Sequence, residues 1–149
     1  MVFMGTFTPR LDEKGRLFLP AKFREQLAAG VVVTRGQDKC LVVWPRETFE
    51  AEAAAVMSNP QSLKESRAIA RTFFSGAEEG VPDKQGRVVI PSLLRAYAGL
   101  TKDVAVIGVG TRIEIWDQAR WLEYDAEASE GFSELDALAP GPSGPATTE

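Results

Sequence analysis

A nine-residue stretch that occurs twice constrains this chain more than any other feature. Asp12-Glu13-Lys14-Gly15-Arg16-Leu17-Phe18-Leu19-Pro20 returns 71 positions later as Asp83-Lys84-Gln85-Gly86-Arg87-Val88-Val89-Ile90-Pro91, with Asp, Gly, Arg and Pro in the same places and three apolar residues between Arg and Pro. Four chemically distinctive matches at one offset define an internal repeat, and a repeat sets the fold before any local propensity does. The correspondence extends outward: Phe3-Met4-Gly5 matches Phe74-Ser75-Gly76, and Phe23-Arg24 matches Leu94-Arg95. With one residue inserted in the second copy, Leu41-Val42-Val43-Trp44 matches Ile113-Glu114-Ile115-Trp116, and Phe49 matches Trp121. Each unit spans about 48 residues, residues 3–49 and 74–121, too few to bury a comfortable core alone. The two copies are therefore expected to interleave into one domain about a pseudo-twofold axis.

Within each copy the local signals run in the same order. Residues 3–8 alternate apolar with small or polar side chains, which predicts a short strand entering a bend at Pro9-Arg10-Leu11. Residues 12–15 read as a turn, with Asp12 able to accept backbone N–H groups and Gly15 free to take a left-handed conformation. The strand leaving it carries three consecutive apolar residues, which predicts burial on both faces, as at the centre of a closed barrel. Pro20 suits the first helical position and Gly30 the stop, with Phe23 and Leu27 forming one apolar stripe. Residues 31–34 and 41–44 then form a hairpin around residues 35–39.

Two helices are expected between the copies, one from Pro45 with Phe49, Ala53, Val56 and Met57 at helical spacing and one over residues 62–74, both packed outside the sheet. The second copy predicts a strand near residues 76–81, the turn 83–86, a strand over 87–90, a helix from Pro91 to a stop at Gly99, and a hairpin pairing residues 103–107 with 112–116. A last helix begins at Asp117, with Trp121, Leu122 and Tyr124 facing inward. The organisation is thus repeat one over residues 3–50, a helical connection over 51–75, repeat two over 76–123, and a disordered, acidic, Pro-rich tail over 132–149.

Composition narrows the chemistry. The chain contains no histidine, which removes Ser-His and Cys-His nucleophile pairs, His-ligated zinc and the commonest general base. Its one cysteine, Cys40, sits in a strand-like stretch and reads as a small core residue. No apolar run approaches a membrane span, and the first residues lack the basic flank and apolar stretch of a signal peptide, so a cytoplasmic protein is expected. The net charge of −4 hides an asymmetry: residues 1–46 carry eight basic residues against four acidic ones, while residues 124–149 carry six acidic residues and no basic one. A basic part offset by an acidic tail points to an anionic partner.

Asp-x-x-x-Arg followed by three apolar residues and Pro, twice per chain, with Trp44-Pro45 and Trp116-Asp117 after the second hairpins, resembles the MraZ family of bacterial transcriptional regulators in the AbrB-like superfamily. The resemblance covers about residues 3–124, and residues 5–16 match the family's opening motif almost throughout; the tail from Phe132 has no match. It implies an α+β, mainly β fold, in which two AbrB-like repeats form a swapped-hairpin or double-psi-like β-barrel with peripheral helices. It further implies a ring-shaped homo-oligomer, association with the nucleoid, and binding of double-stranded DNA upstream of the division and cell-wall gene cluster through the Asp-x-x-x-Arg element.

The residues themselves are compatible with that. A two-stranded ribbon fits the major groove, Arg16 suits bidentate contact with guanine O6 and N7, and Asp12 is placed to hold the guanidinium. The same pair also suits a plain turn-stabilising ion pair, and for Asp83 and Arg87 that reading is preferred. At the repeat offset Arg10 becomes Val81, Lys14 becomes Gln85 and Lys22 becomes Leu93, while only Glu13 to Lys84 moves toward positive charge. Copy one is therefore expected to face DNA through Arg10, Asp12, Lys14, Gly15 and Arg16, with Asp83, Lys84 and Arg87 as weaker candidates. Arg24, Arg35, Lys39 and Arg46 have weaker claims still, as scattered basic surface.

No cofactor, metal, membrane or small-molecule substrate is expected, and no enzyme. Asp12 and Asp83 are related as an acid-protease pair would be, yet that chemistry needs carboxylates sharing a proton, and an Arg four residues from each favours the ionised form. The alternative class is an oligomeric scaffold or partner-binding regulator that uses the acidic tail.

Overall fold

The computed structural model describes residues 2–136. In chain order the elements are β1 (Phe3–Phe7), β2 (Arg16–Phe18), α1 (Ala21–Leu27), β3 (Val31–Arg35), β4 (Leu41–Pro45), α2 (Arg46–Met57), α3 (Lys64–Ser75), β5 (Glu78–Gly80), β6 (Arg87–Val89), α4 (Ser92–Ala98), β7 (Val104–Gly110), β8 (Ile113–Asp117) and α5 (Gln118–Ser133). The class is α+β, built around an antiparallel sheet, as the family resemblance implies.

The two copies exchange strands. Each leading strand pairs with the hairpin of the other copy: β1 runs antiparallel to β7, with Phe3 opposite Gly110, and β5 runs antiparallel to β3, with Val31 opposite Gly80. The resulting six-stranded sheet has the order β1-β7-β8-β4-β3-β5, which reads the same from either end once each strand is replaced by its repeat counterpart. At its centre Val42 lies opposite Glu114, its own counterpart. A separate two-stranded ribbon pairs β2 with β6, and its central pair is Leu17 opposite Val88, again mutual counterparts. The pseudo-twofold axis passes through both central pairs, and neither copy completes a sheet without the other.

Burial on both faces explains the apolar runs of β3, β4 and β7. Val31, Val33, Leu41, Val43, Val104, Val106, Ile113 and Ile115 face one core, filled from the other side by Leu17, Leu19, Val88 and Ile90 and by Phe23, Leu27, Leu94 and Ala98 of α1 and α4. Alternate residues face the opposite side and are covered by helices. Trp44 packs with Phe49 of α2 and Phe73 of α3, at 5.8 and 5.7 Å between ring centroids, and Trp116 packs with Trp121 and Tyr124 of α5. The buried Thr34 hydroxyl donates to the Phe73 carbonyl at 2.6 Å, which ties α3 to the sheet. The helices between the copies therefore lie outside the sheet, as expected.

Several sequence expectations need correction. The strands after the two turns are not buried on both faces: Leu17 and Val88 are, but Phe18 is 44% and Val89 60% exposed, because β2 and β6 pair only with each other and turn one face outward. Leu122 does not face inward and is 61% exposed, since the aromatic packing on Trp116 uses Trp121 and Tyr124. Pro20 and Pro91 sit one position before their helices, with extended backbone angles, rather than inside the first turn. The last helix passes through Gly131 to Ser133, so the first residues of the expected tail are helical; residues 137–149 of that tail lie outside the described residues.

Candidate nucleic-acid interface

Each repeated turn is built by one carboxylate doing three things. Asp12 Oδ1 accepts the backbone N–H groups of Lys14 and Arg16, both at 2.9 Å, and Oδ2 accepts Nε–H of Arg16 at 2.6 Å. Asp83 repeats the set with Gln85 N–H at 2.9 Å, Arg87 N–H at 2.8 Å and Arg87 Nε–H at 2.7 Å. Backbone bonds close each loop, from Asp12 N–H to the Arg16 carbonyl and from Gly15 N–H to the Asp12 carbonyl, with the same pair between Asp83, Arg87 and Gly86. Gly15 and Gly86 have φ of 76° and 81°, the left-handed region that glycine enters without strain.

This geometry fixes the charges. The Arg16 amide holds the Asp12 carboxyl below its ordinary value of 3.8 against a partial desolvation that opposes it, and the Arg16 side chain and Lys14 amide pull the same way. Asp83 is lowered alike, chiefly by the Arg87 amide. Each carboxylate is thus ionised and committed to its own arginine, whereas a proton-sharing pair requires one raised pKa. Using Nε for the ion pair leaves the planar far edge of the guanidinium: among the described residues, no protein acceptor binds Nη1 or Nη2 of Arg16 or Arg87.

The ribbon brings the two motif arginines together. Arg16 lies opposite Val89 and Phe18 opposite Arg87, so all four side chains share the face away from buried Leu17 and Val88. Diagonal neighbours of this kind sit roughly 7–8 Å apart. The Arg87 guanidinium stands 5.7 Å from the Phe18 ring centroid. Lys14 is exposed on one turn and Lys84 on the other. Arg10, also exposed, pairs with Asp103 at 3.0 Å and is half of an isolated bridge joining the copies.

Two arginines outside the principal candidates belong to this site for a reason that spacing alone does not reveal. Arg95 of α4 lies over Gly15, the turn glycine of the other copy, and donates to the Ile90 carbonyl; Ile90 N–H in turn donates to the Gly15 carbonyl at 2.8 Å. Its counterpart Arg24 lies over Gly86 and donates to the Leu19 carbonyl at 2.9 Å, while Leu19 N–H reaches the Gly86 carbonyl. Matching Phe23-Arg24 with Leu94-Arg95 signals that the arginine recurs, but only strand exchange shows that each one braces the other copy's turn. Arg95 and Lys102 also line a cleft of about 360 Å³ beside Asp12 and Glu13. Of the weaker candidates, Arg35 packs against Tyr97 and bonds the Thr72 carbonyl, Arg46 lies over Gly30, and Lys39 is exposed.

Among the described residues there is no group of three or more His, Cys, Asp or Glu placed to hold a metal ion, and no helix is long and apolar enough to cross a membrane. The fold and the paired turns define a protein built from two strand-exchanged repeats, each presenting one Asp-x-x-x-Arg turn on a shared ribbon. The sequence matches the family described as "MraZ protein, putative antitoxin-like" over residues 2–72 and again over residues 73–139. Proteins named Transcriptional regulator MraZ are similar over almost their whole length: that of Nocardioides sp. is 57% identical over 136 residues, covering 91% of this chain and 94% of the relative. Those of Micrococcus luteus and Arthrobacter sp. are 56% and 54% identical, covering 91% and 94% of this chain and 94% and 99% of the relatives. This chain belongs to the MraZ family.

Proposed function

We propose that the protein is a sequence-specific DNA-binding transcriptional regulator acting in the cytoplasm at the nucleoid, that it assembles as a ring-shaped homo-oligomer, and that it performs no catalytic step. The observation that carries this reading is the state of Arg16: Nε is fixed by Asp12 while the far edge of the guanidinium has no protein acceptor among the described residues. That edge carries the parallel donors that match guanine O6 and N7 in the major groove, which admits a two-stranded ribbon. The relatives' shared name supports it.

Copy one is the principal reader of the DNA. The two turns have the same geometry, so the preference rests on charge: Arg10, which pairs with Asp103, and Lys14 and Lys22 flank the first turn where Val81, Gln85 and Leu93 flank the second, against the one opposite exchange of Glu13 for Lys84. A basic flank supplies the phosphate contacts that set register on the duplex, while base edges supply specificity. Asp12 and Gly15 serve by shaping the turn, and Asp83, Lys84 and Arg87 form the secondary contact.

The target is proposed to be the promoter of the division and cell-wall gene cluster, met through direct repeats. Protomers in a ring make heterologous contacts, so their first turns point the same way around it. Successive turns on one face of a duplex meet the major groove about 10 bp apart, and linked weak contacts gain affinity steeply with repeat number. A closed ring matches straight DNA at several points only if it opens or if the DNA bends, at an elastic cost of order 1–6 kcal/mol. Gel shifts with promoter DNA whose repeats are deleted singly, or respaced by about half a turn (~5 bp), test this at two salt concentrations. Stepwise loss of affinity and sensitivity to respacing are expected; an inverted-repeat footprint, or indifference to respacing, contradicts it.

A further inference from the structure

The ribbon's outer face carries two exposed apolar residues that lie outside the core and are not members of the ion pairs. On strands of only three residues, Leu17 and Val88 point into the core while Phe18 and Val89 point out, 44% and 60% exposed. A polar side chain at either place would leave the buried face unchanged, since alternate residues of a strand serve opposite faces. Each apolar residue is paired across the ribbon with the other copy's motif arginine, Val89 with Arg16 and Phe18 with Arg87. The face therefore repeats one chemical unit twice: a guanidinium anchored through Nε, with an apolar surface beside it.

We propose that Phe18 and Val89 are specificity-determining residues that read thymine through its C5 methyl group, next to the guanine taken by the neighbouring arginine. This rests on the DNA-binding reading above and names what that site recognises. In the major groove guanine offers two acceptors to an arginine, and thymine is the base whose edge presents a methyl group to an apolar side chain such as Phe. Arginine and apolar residue sit opposite each other on adjacent strands, so the bases they meet are near neighbours on the duplex. Phosphate-contacting lysines at the turn tips set the register and do not distinguish thymine from cytosine. The charge beside the face also favours DNA as its occupant: Asp12 and Asp83 offset the two arginines, but Lys14 and Lys84 are exposed on the adjoining turns.

Replacing thymine by deoxyuridine removes the methyl group and keeps the base pair. Fluorescence anisotropy of the full chain on its promoter duplex, made with thymine or with deoxyuridine throughout the footprint, is read against a random duplex made both ways. An affinity loss of about fourfold for each methyl group engaged is expected on the promoter and none on the random duplex. In Phe18→Ser and Val89→Ser, checked for fold by thermal melting and for assembly by light scattering, the thymine-to-uracil ratio should fall toward one. Specific binding that is indifferent to uracil overturns the proposal and leaves the DNA-binding reading intact. Loss of the oligomer in Phe18→Ser with an unchanged ratio overturns it in favour of an interface between copies. Absence of specific binding to either promoter duplex overturns both readings.

Discussion

Leu17 lies opposite Val88 at the centre of the ribbon, and each occupies in its own copy the position that the other occupies in the second. Both are buried, so the point where the copies meet most closely is also part of the core. The motif arginines stand on either side of this pair. Any change that separates the copies therefore separates Arg16 from Arg87, and the integrity of the site depends on strand exchange.

The turn glycine should be far less tolerant than a glycine of similar backbone angle elsewhere. At Gly15, φ 76°, a Cβ would overlap the Arg95 guanidinium and lie 3.3 Å from the Ile90 carbonyl oxygen, whereas at Gly99, φ 61°, it would meet nothing within 4 Å. Gly99→Ala should cost only the left-handed backbone strain, about 1–2 kcal/mol. Gly15→Ala should cost that and also displace the Arg95 bond, about 1 kcal/mol more. Urea unfolding measures both, and Gly15→Ala with Arg95→Ala should be less than additive. Equal destabilisation by the two single changes would remove Arg95 from the turn.

Lys14 should act without regard to sequence. A lysine on an exposed turn meets phosphate more readily than a base edge. Lys14→Ala should weaken promoter and random DNA alike and lower the salt slope by about one for each phosphate the lysine neutralises. Binding isotherms at several salt concentrations decide it; an unchanged slope places Lys14 off the interface.

Both turns should loosen in acid. Asp12 and Asp83 have folded-state pKa values lowered from 3.8, so their contribution is complete above that value and is lost as pH falls through the lowered one. The difference in melting temperature between the wild type and Asp12→Asn should stay constant from neutrality to about pH 4 and shrink below it. A difference that vanishes while the carboxylate is still ionised would mean that Asp12 does not hold the turn by its charge.

Cys40 should be unreactive while the protein is folded. Burial, with the charges of Glu114 and Asp38, pushes its thiol up to about 12 from 9.0, and Sγ donates to the Gln37 carbonyl at 3.2 Å. The thiolate fraction at neutral pH should be about a thousandfold below that of the unfolded chain, since those values differ by about three decades. Alkylation followed by mass spectrometry should therefore track unfolding; rapid labelling of native protein would show the site to be open.

The repeat was legible because it was written in residues with few substitutes. Asp12, Gly15 and Arg16 recur as Asp83, Gly86 and Arg87 because the turn needs an acceptor, a left-handed residue and a partner for the acceptor. The hairpins were legible for a different reason: apolar runs such as Val31-Val32-Val33 need cover on both faces. The same rule failed for Leu17-Phe18-Leu19, where an unbroken apolar run had one exposed member, because the run does not show that β2 pairs only with β6 and turns one face outward. Leu122 failed similarly beside Trp121. The bracing of Gly15 by Arg95 was hidden because it depends on strand exchange between segments about 80 residues apart in sequence, and no local pattern encodes that distance.

Side-by-side titration of the wild type, Arg16→Ala and Arg87→Ala against the protein's own promoter duplex and a random duplex tests the central claim most directly. Both variants should fold and assemble, since these side chains point away from the core. Arg16→Ala should lose specific binding, by about 1–3 kcal/mol for each engaged protomer, and retain its weak binding to random DNA. Arg87→Ala should lose distinctly less. Equal losses in the two variants would contradict the assignment of copy one as the reader, and unchanged promoter affinity in Arg16→Ala would contradict DNA recognition through this turn altogether.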